Sequence, residues 1–191
     1  MTLIFDTKTT GKANFRAPAS DPCQPNLVQI AAVLLDDQLQ ERAAFCFIIK
    51  PTFYSIPKEE SDIHGITTEI AMASGIPLPD AMTLFLQFVQ MAHCRVAHNL
   101  QFDDLIVNAA MHRLGDEIFS DDQKTFCTMQ AMTPICALPG QYRDFKWPKL
   151  AEAYQYCAGS KLDGAHDALV DVRACATIYR WLQNRKAEVT A

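Results

Sequence analysis

The sequence predicts an α/β fold in which a mixed β-sheet of about five strands is flanked by α-helices. Two observations carry this. Three apolar, β-branched runs lie ahead of Pro51, and helical patterns then interleave with two further strand-like runs, the order expected of a mixed sheet with helices on its faces. The 191 residues are 49% apolar and 20% charged, enough for one sizeable core and unlike a disordered chain.

The elements follow in order. Leu3-Ile4-Phe5 reads as a short buried strand ending at Asp6. The polar segment GKANFRAPASDPCQPN, with Pro18, Pro22 and Pro25, is long for a loop in a compact domain, which points to function or mobility. LVQIAAVLLD and AAFCFIIKP, joined by DQLQER, are expected to be neighbouring antiparallel strands. PKEESDIHGI and TTEIAMAS read as short helices, with Thr67 or Thr68 capping the second, and DAMTLFLQFVQMA as a longer helix with Asp80 as its N-cap. CRVAH is a strand, FDDLIVNAAMHRLG a helix stopped by Gly115, and KTFCT a further strand. Pro134 to Lys146 reads as a second long loop. WPKLAEAYQYC starts a helix with Pro148 near its first turn, and ALVDVRACATIYRWLQ is the last helix.

A net charge of -5 gives no global attraction to a polyanion, so any such attraction must be local or carried by bound cations. Seven cysteines form no C-x-x-C pair and sit largely in apolar runs, which fits reduced, packed thiols rather than a disulfide framework or zinc site. The first strand begins almost at once and no apolar run approaches the roughly 20 residues that span a bilayer. The expectation is a soluble, cytoplasmic protein.

Three places put carboxylates where a fold could bring them together: Asp6 after the first strand, Asp103 in AHNLQFDD, and Asp171 in GAHDALVDVRA, five residues after His166. On one helix His166 and Asp171 would lie about 140° apart. They converge only if His166 sits in the loop before the helix, with Gly164 supplying the bend and Asp167 near the cap.

FDTKTTG, HNLQFD and HDALVD resemble the three sequence motifs of the DEDDh family of 3′→5′ exonucleases, which includes polymerase proofreading subunits. LVQIAAV, IHGIT and KWPKLAEAY are similar to supporting segments of that family, so the resemblance runs from about Thr2 to Leu182. It implies a ribonuclease-H-like fold and a single exonuclease-like domain over residues 1–191. It further implies that Asp6 bridges two divalent cations, Mg2+ or Mn2+, that Asp171 holds the ion activating water, and that Asp103 serves the second ion. His166 would take the proton from the attacking water. Thr9, Thr10 and Gly11 would present backbone to the terminal nucleotide, and His98, Asn99 and Phe102 would shape its pocket. Such chemistry asks for hard oxygen ligands around two ions about 3.5–4 Å apart, and for a base titrating near neutral pH.

The family's fourth carboxylate, a glutamate, falls at Lys8. At about 5 Å and an effective dielectric of 20, a unit charge and a divalent ion interact by roughly 6–7 kcal/mol, so a swing of two charges opposes metal binding by up to the order of 10 kcal/mol. Three readings stay open. Lys8 is an inactivating change, natural or introduced, on an exonuclease scaffold. Or the ammonium sits among Asp6 and Asp171 as a fixed cation replacing one metal. Or the chain is a non-catalytic module that holds nucleic-acid ends or a polymerase. A lysine that only snorkels to solvent belongs with the first.

PGQYRDFKWPK interleaves Arg143, Lys146 and Lys149 with Tyr142, Phe145 and Trp147, which fits a single-stranded end unless the aromatics belong to the core. Lys12 and Arg16 are further candidate contacts. The proofreading-type resemblance favours a single-stranded or frayed DNA 3′ end, with RNA, and so a 3′→5′ exoribonuclease, as the alternative. It also implies a DNA polymerase or another replication or repair protein as partner.

Overall fold

The strand that opens the chain runs further than its apolar core. In the computed structural model, which describes residues 1–116, 123–141, 144–165 and 167–190, β1 spans Thr2–Thr9 and carries Asp6 and Lys8 within it. It continues past Phe5 because β2 (Leu27–Leu35) pairs antiparallel along its whole length, Thr2 opposite Leu35 and Lys8 opposite Gln29. β3 (Glu41–Ile48) pairs antiparallel with β2, as expected of the two apolar runs. The intervening turn is closed by Asp36, whose carboxylate accepts from the backbone N–H of Gln38 and Gln40. β4 (Cys94–Ala97) and β5 (Lys124–Cys127) add parallel on the other side of β1, giving the order β3-β2-β1-β4-β5.

Seven helices surround the sheet among the described residues: α1 (Lys58–His64), α2 (Thr68–Ser74), α3 (Leu78–Met91), α4 (Leu100–His112), α5 (Thr128–Cys136), α6 (Leu150–Ala158) and α7 (Ala168–Thr190). Thr67 caps α2, its side chain accepting from Ile70 N. Asp80 is not a cap: α3 starts two residues earlier behind Pro77, and Asp80 lies in its first turn. Pro148 likewise precedes the cap of α6, which is Lys149. The second long loop begins later than Pro134, because that proline lies inside α5. The helix tolerates it by burying Met129 and Met132, a gain in apolar burial that offsets one absent backbone hydrogen bond. Gly115 (φ 83°) closes the turn just after α4.

Strand alternation sorts β1 onto two faces. Leu3 and Phe5 join the core formed with α3 and α4, whereas Ile4 joins a second core with Val172, Cys175 and Ala176 of α7. By the same alternation Asp6 and Lys8 share the α7 face, and Thr7 and Thr9 the α4 face. The end of β1 is thus the one place where both helices meet the strand. All seven cysteines are free thiols; Cys175 is buried and Cys23 exposed. No described helix is long and apolar enough to cross a membrane.

Candidate active site

Each acid reaches the end of β1 from a different element. Asn99, in a left-handed conformation (φ 80°) that asparagine tolerates better than most residues, turns β4 sharply into α4. Asp103 then lies in the first helical turn, buried, where one carboxylate oxygen accepts from Thr7 N at 2.9 Å and Thr7 Oγ1 at 2.8 Å. Gly164 (φ 73°) bends the chain ahead of α7, and Asp167 caps that helix by accepting from Leu169 N and Val170 N. These agree with the bend and cap expected from the sequence. One turn on, Asp171 is buried beside β1. His166, the expected base, lies outside the described residues, as do Tyr142 and Arg143.

Lys8 does not snorkel outward. Its side chain is 12% exposed, and its Nζ stands 2.8 Å from Asp6 Oδ2 and 2.5 Å from Asp171 Oδ2. Burial alone would lower its basicity, but the charges of Asp6 and Asp171 outweigh burial and hold the ammonium above the ordinary lysine range. Asp103 shows the opposite balance. Burial and the neighbouring charge of Asp6 push its carboxyl well above the usual range, against the Thr7 donors and Lys8. Asp6, Asp103 and Asp171 therefore share one electrostatic environment, with a single ammonium set among them.

Beside it opens a pocket of about 220 Å³ lined by Lys8, Thr9, Gly11, Lys12, Glu60, Ile63, His64 and Phe102. Thr9 Oγ1 donates to Gly11 O at 2.6 Å, and Thr10 and Asn26 exchange hydrogen bonds, so this corner is fixed by its own backbone. His64 was not anticipated as a site residue, although it stands in the IHGIT segment. Its Nδ1 accepts from Ile66 N at 3.2 Å, which assigns the proton to Nε2, an atom buried at the pocket without a well-formed hydrogen bond. Burial lowers its pKa, with the Thr9 carbonyl pulling the other way.

The remaining predicted contacts divide. Phe102 lines the pocket, whereas His98 is turned inward: Nδ1 meets Thr128 Oγ1 and Nε2 meets Pro148 O, both at 3.0 Å. With both nitrogens engaged, His98 ties β4 to α5 and to the segment before α6. Phe145 and Trp147 are exposed rather than core residues, and Lys12 and Arg16 are exposed. Lys146 pairs with Glu152 at 2.6 Å, and Lys149 serves the α6 cap.

The residues do not fit the two-ion centre implied by the sequence motifs. The position between Asp6 and Asp171 is taken by Lys8 Nζ, a cation at contact distance from both carboxylates. Among the described residues no group of three His, Cys, Asp or Glu is arranged to hold a metal ion.

Comparisons with known proteins agree on the scaffold. The sequence model of the family described as Exonuclease matches residues 3–179. An uncharacterized exonuclease, CP81, of Escherichia phage 186 is 25% identical over 178 residues, covering 90% of this chain and 82% of its own. Exonuclease I of E. coli in complex with a dT13 oligonucleotide superposes with a TM-score of 0.78 at 21% identity, over 99% of this chain and 42% of that one. The zinc-bound form of its complex with single-stranded DNA gives 0.71 at 22% identity, over 97% and 41%. The chain thus spans about two fifths of the Exonuclease I chains it matches. These likenesses carry the ribonuclease-H-like fold.

Proposed function

The chain belongs to the exonuclease family, and from that premise we propose that it is directed at the 3′ end of single-stranded or frayed DNA, with hydrolysis impaired in this chain by Lys8. The observation that carries the reading is the arrangement at the end of β1: three carboxylates from three elements meet beside a pocket edged by Thr9, Gly11, His64 and Phe102. Phe102 offers a ring for a terminal base, and the Thr9 to Gly11 backbone offers polar contacts to its sugar. The motif position of His166 fits a general base. Lys8 sets the impairment. With an ammonium held against one oxygen of Asp6 and one of Asp171, a hydroxide-generating cation at these carboxylates would sit beside a fixed positive charge. The seven free thiols fit a reducing compartment such as the cytoplasm.

The test is a 5′-labelled single-stranded DNA oligonucleotide incubated in magnesium, and separately in manganese, with the wild type and with Lys8→Glu. The variant is expected to yield a ladder of shortened products at least about a hundredfold faster than the wild type, matching the loss of ion occupancy that the charge swing produces. Adding His166→Ala should abolish the ladder. No ladder from Lys8→Glu would reject the exonuclease reading; a full-speed ladder from the wild type would reject the role given to Lys8. The same oligonucleotide made as RNA separates the exoribonuclease alternative.

A further inference from the structure

We infer that this chain captures single-stranded DNA 3′ ends without a divalent ion, using Lys8 as a built-in cation, so that it holds and shields an end. The inference rests on the DNA-end reading above but departs from the family's ion-dependent site. Its starting point is charge. Asp6, Asp103, Asp171 and Lys8 carry a formal charge of -2, whereas a glutamate at position 8 would make it -4. The difference equals the charge of one divalent ion. A metal-free site with four carboxylates repels an incoming phosphodiester, and the lysine removes half of that formal charge without recruiting anything from solution.

Geometry makes the ammonium usable. A lysine Nζ has three N–H donors. Asp171 accepts one of them at 2.5 Å, Asp6 pairs with the ammonium by charge at 2.8 Å, and the same side chain lines the pocket that holds Thr9, Gly11 and Phe102. A phosphate oxygen of a strand seated in that pocket would meet the ammonium from the pocket side. Two carboxylates fix the head, so little side-chain entropy is lost when the strand binds. Lys12 adds a second cation at the rim, and Glu60 is the one acid on that pocket's lining among the described residues. Phe102 supplies a stacking surface that needs no metal.

Fluorescence anisotropy of a labelled ten-nucleotide thymidine strand, in EDTA and in magnesium, tests this directly, with a circular single strand as the competitor lacking ends. The wild type is expected to bind with the same Kd within about twofold in both buffers, resisting the circular competitor. Lys8→Glu should bind at least about tenfold more weakly in EDTA and recover in magnesium. Lys8→Met, apolar and of similar length, should weaken binding in EDTA by an intermediate factor. A wild type that needs magnesium to bind would overturn the inference and leave the DNA-end reading standing. Failure of both wild type and Lys8→Glu to bind ends in either buffer would overturn that reading, and the inference with it. Melting temperature gives a readout without DNA: magnesium should raise it for Lys8→Glu and leave it unchanged for the wild type. A rise in the wild type would mean that the site still takes up the ion, and would overturn the inference.

Discussion

Asp103 and Asp104 are neighbours on α4, about 100° apart around the helix, and they enter two different kinds of ionic cluster. Asp104 meets Arg95 of β4 through a two-pronged contact, Nε to Oδ1 at 3.0 Å and Nη2 to Oδ2 at 3.2 Å. A third donor of Arg95 goes to Gln123 at 3.3 Å, and Gln123 in turn donates to the carbonyls of Val89 and Ala92. Among the described residues one cation meets one acid, and a further donor goes to a neutral amide. Asp103 faces the other way, into a set of three carboxylates sharing one ammonium. Among the described residues the first cluster is balanced in charge, and it joins the sheet to a helix. The second keeps an excess of negative charge beside an open pocket. Both mix buried and half-buried groups, so burial does not tell a structural ion pair from a site; the charge balance does.

The largest expected effect comes from breaking the balanced cluster. Asp104→Ala removes the two-pronged acidic partner of a guanidinium that is 9% exposed. It should destabilise the protein by about 3–4 kcal/mol, read from urea denaturation, with little change between pH 6 and 8. Lys8→Met breaks the open cluster and should cost less, about 2–3 kcal/mol at pH 7, because the stranded groups can neutralise themselves. Protonation relieves the mutual repulsion of carboxylates that have lost their shared cation, so the deficit should shrink as pH falls. A deficit as large as that of Asp104→Ala and flat with pH would erase the distinction between the clusters.

Asp103→Asn sharpens the comparison with the opposite sign. The folded carboxyl titrates above its unfolded value, so the folded state binds more protons and stability declines as pH rises from about 4 through the folded pKa. An asparagine can still accept from Thr7 but has no charge to bury. The variant should match the wild type near pH 4 and exceed it at pH 7, measured by thermal melting across that range.

Much of this was legible in the sequence. LVQIAAVLL is buried along its whole length, and so continuous an apolar run between polar segments reads as an interior strand. Two of the acids carried their own context, with the end of β4 ahead of Asp103 and the Gly164–Asp167 turn ahead of Asp171. The true length of β1 was not legible, because Thr7 and Lys8 are polar and find their partners 96 and 163 residues away. Pro134 hid α5, since a proline argues locally against a helix that tertiary burial nevertheless forms. The energetics of Lys8 were half legible. Repulsion of a divalent ion follows from charge alone, but its pairing with two acids depends on α7 packing against the face of β1 that holds Asp6. His64 escaped because its tautomer is set by the fold of its own turn, through Ile66 N.

His98 supplies the smallest effect and a third term in the comparison: a buried titratable group held by neutral partners. Its Nε2 donates to the Pro148 carbonyl, and its Nδ1 meets the Thr128 hydroxyl. Burial lowers its pKa, with the Pro148 carbonyl and Asp171 opposing, so below pH 6.5 the unfolded chain binds a proton that the folded one resists. Stability from His98 is therefore full above 6.5 and lost as pH falls, the reverse of Asp103. His98→Gln, which keeps a donor and an acceptor on a shorter reach, should lower stability by about 1 kcal/mol at pH 7, with the gap narrowing by pH 5 as the wild type loses its advantage. Urea midpoints at the two pH values decide it. A gap that widens in acid would mean that His98 is charged in the folded protein and belongs electrically to the Asp171 cluster, joining the open site to the sheet frame through one more cation.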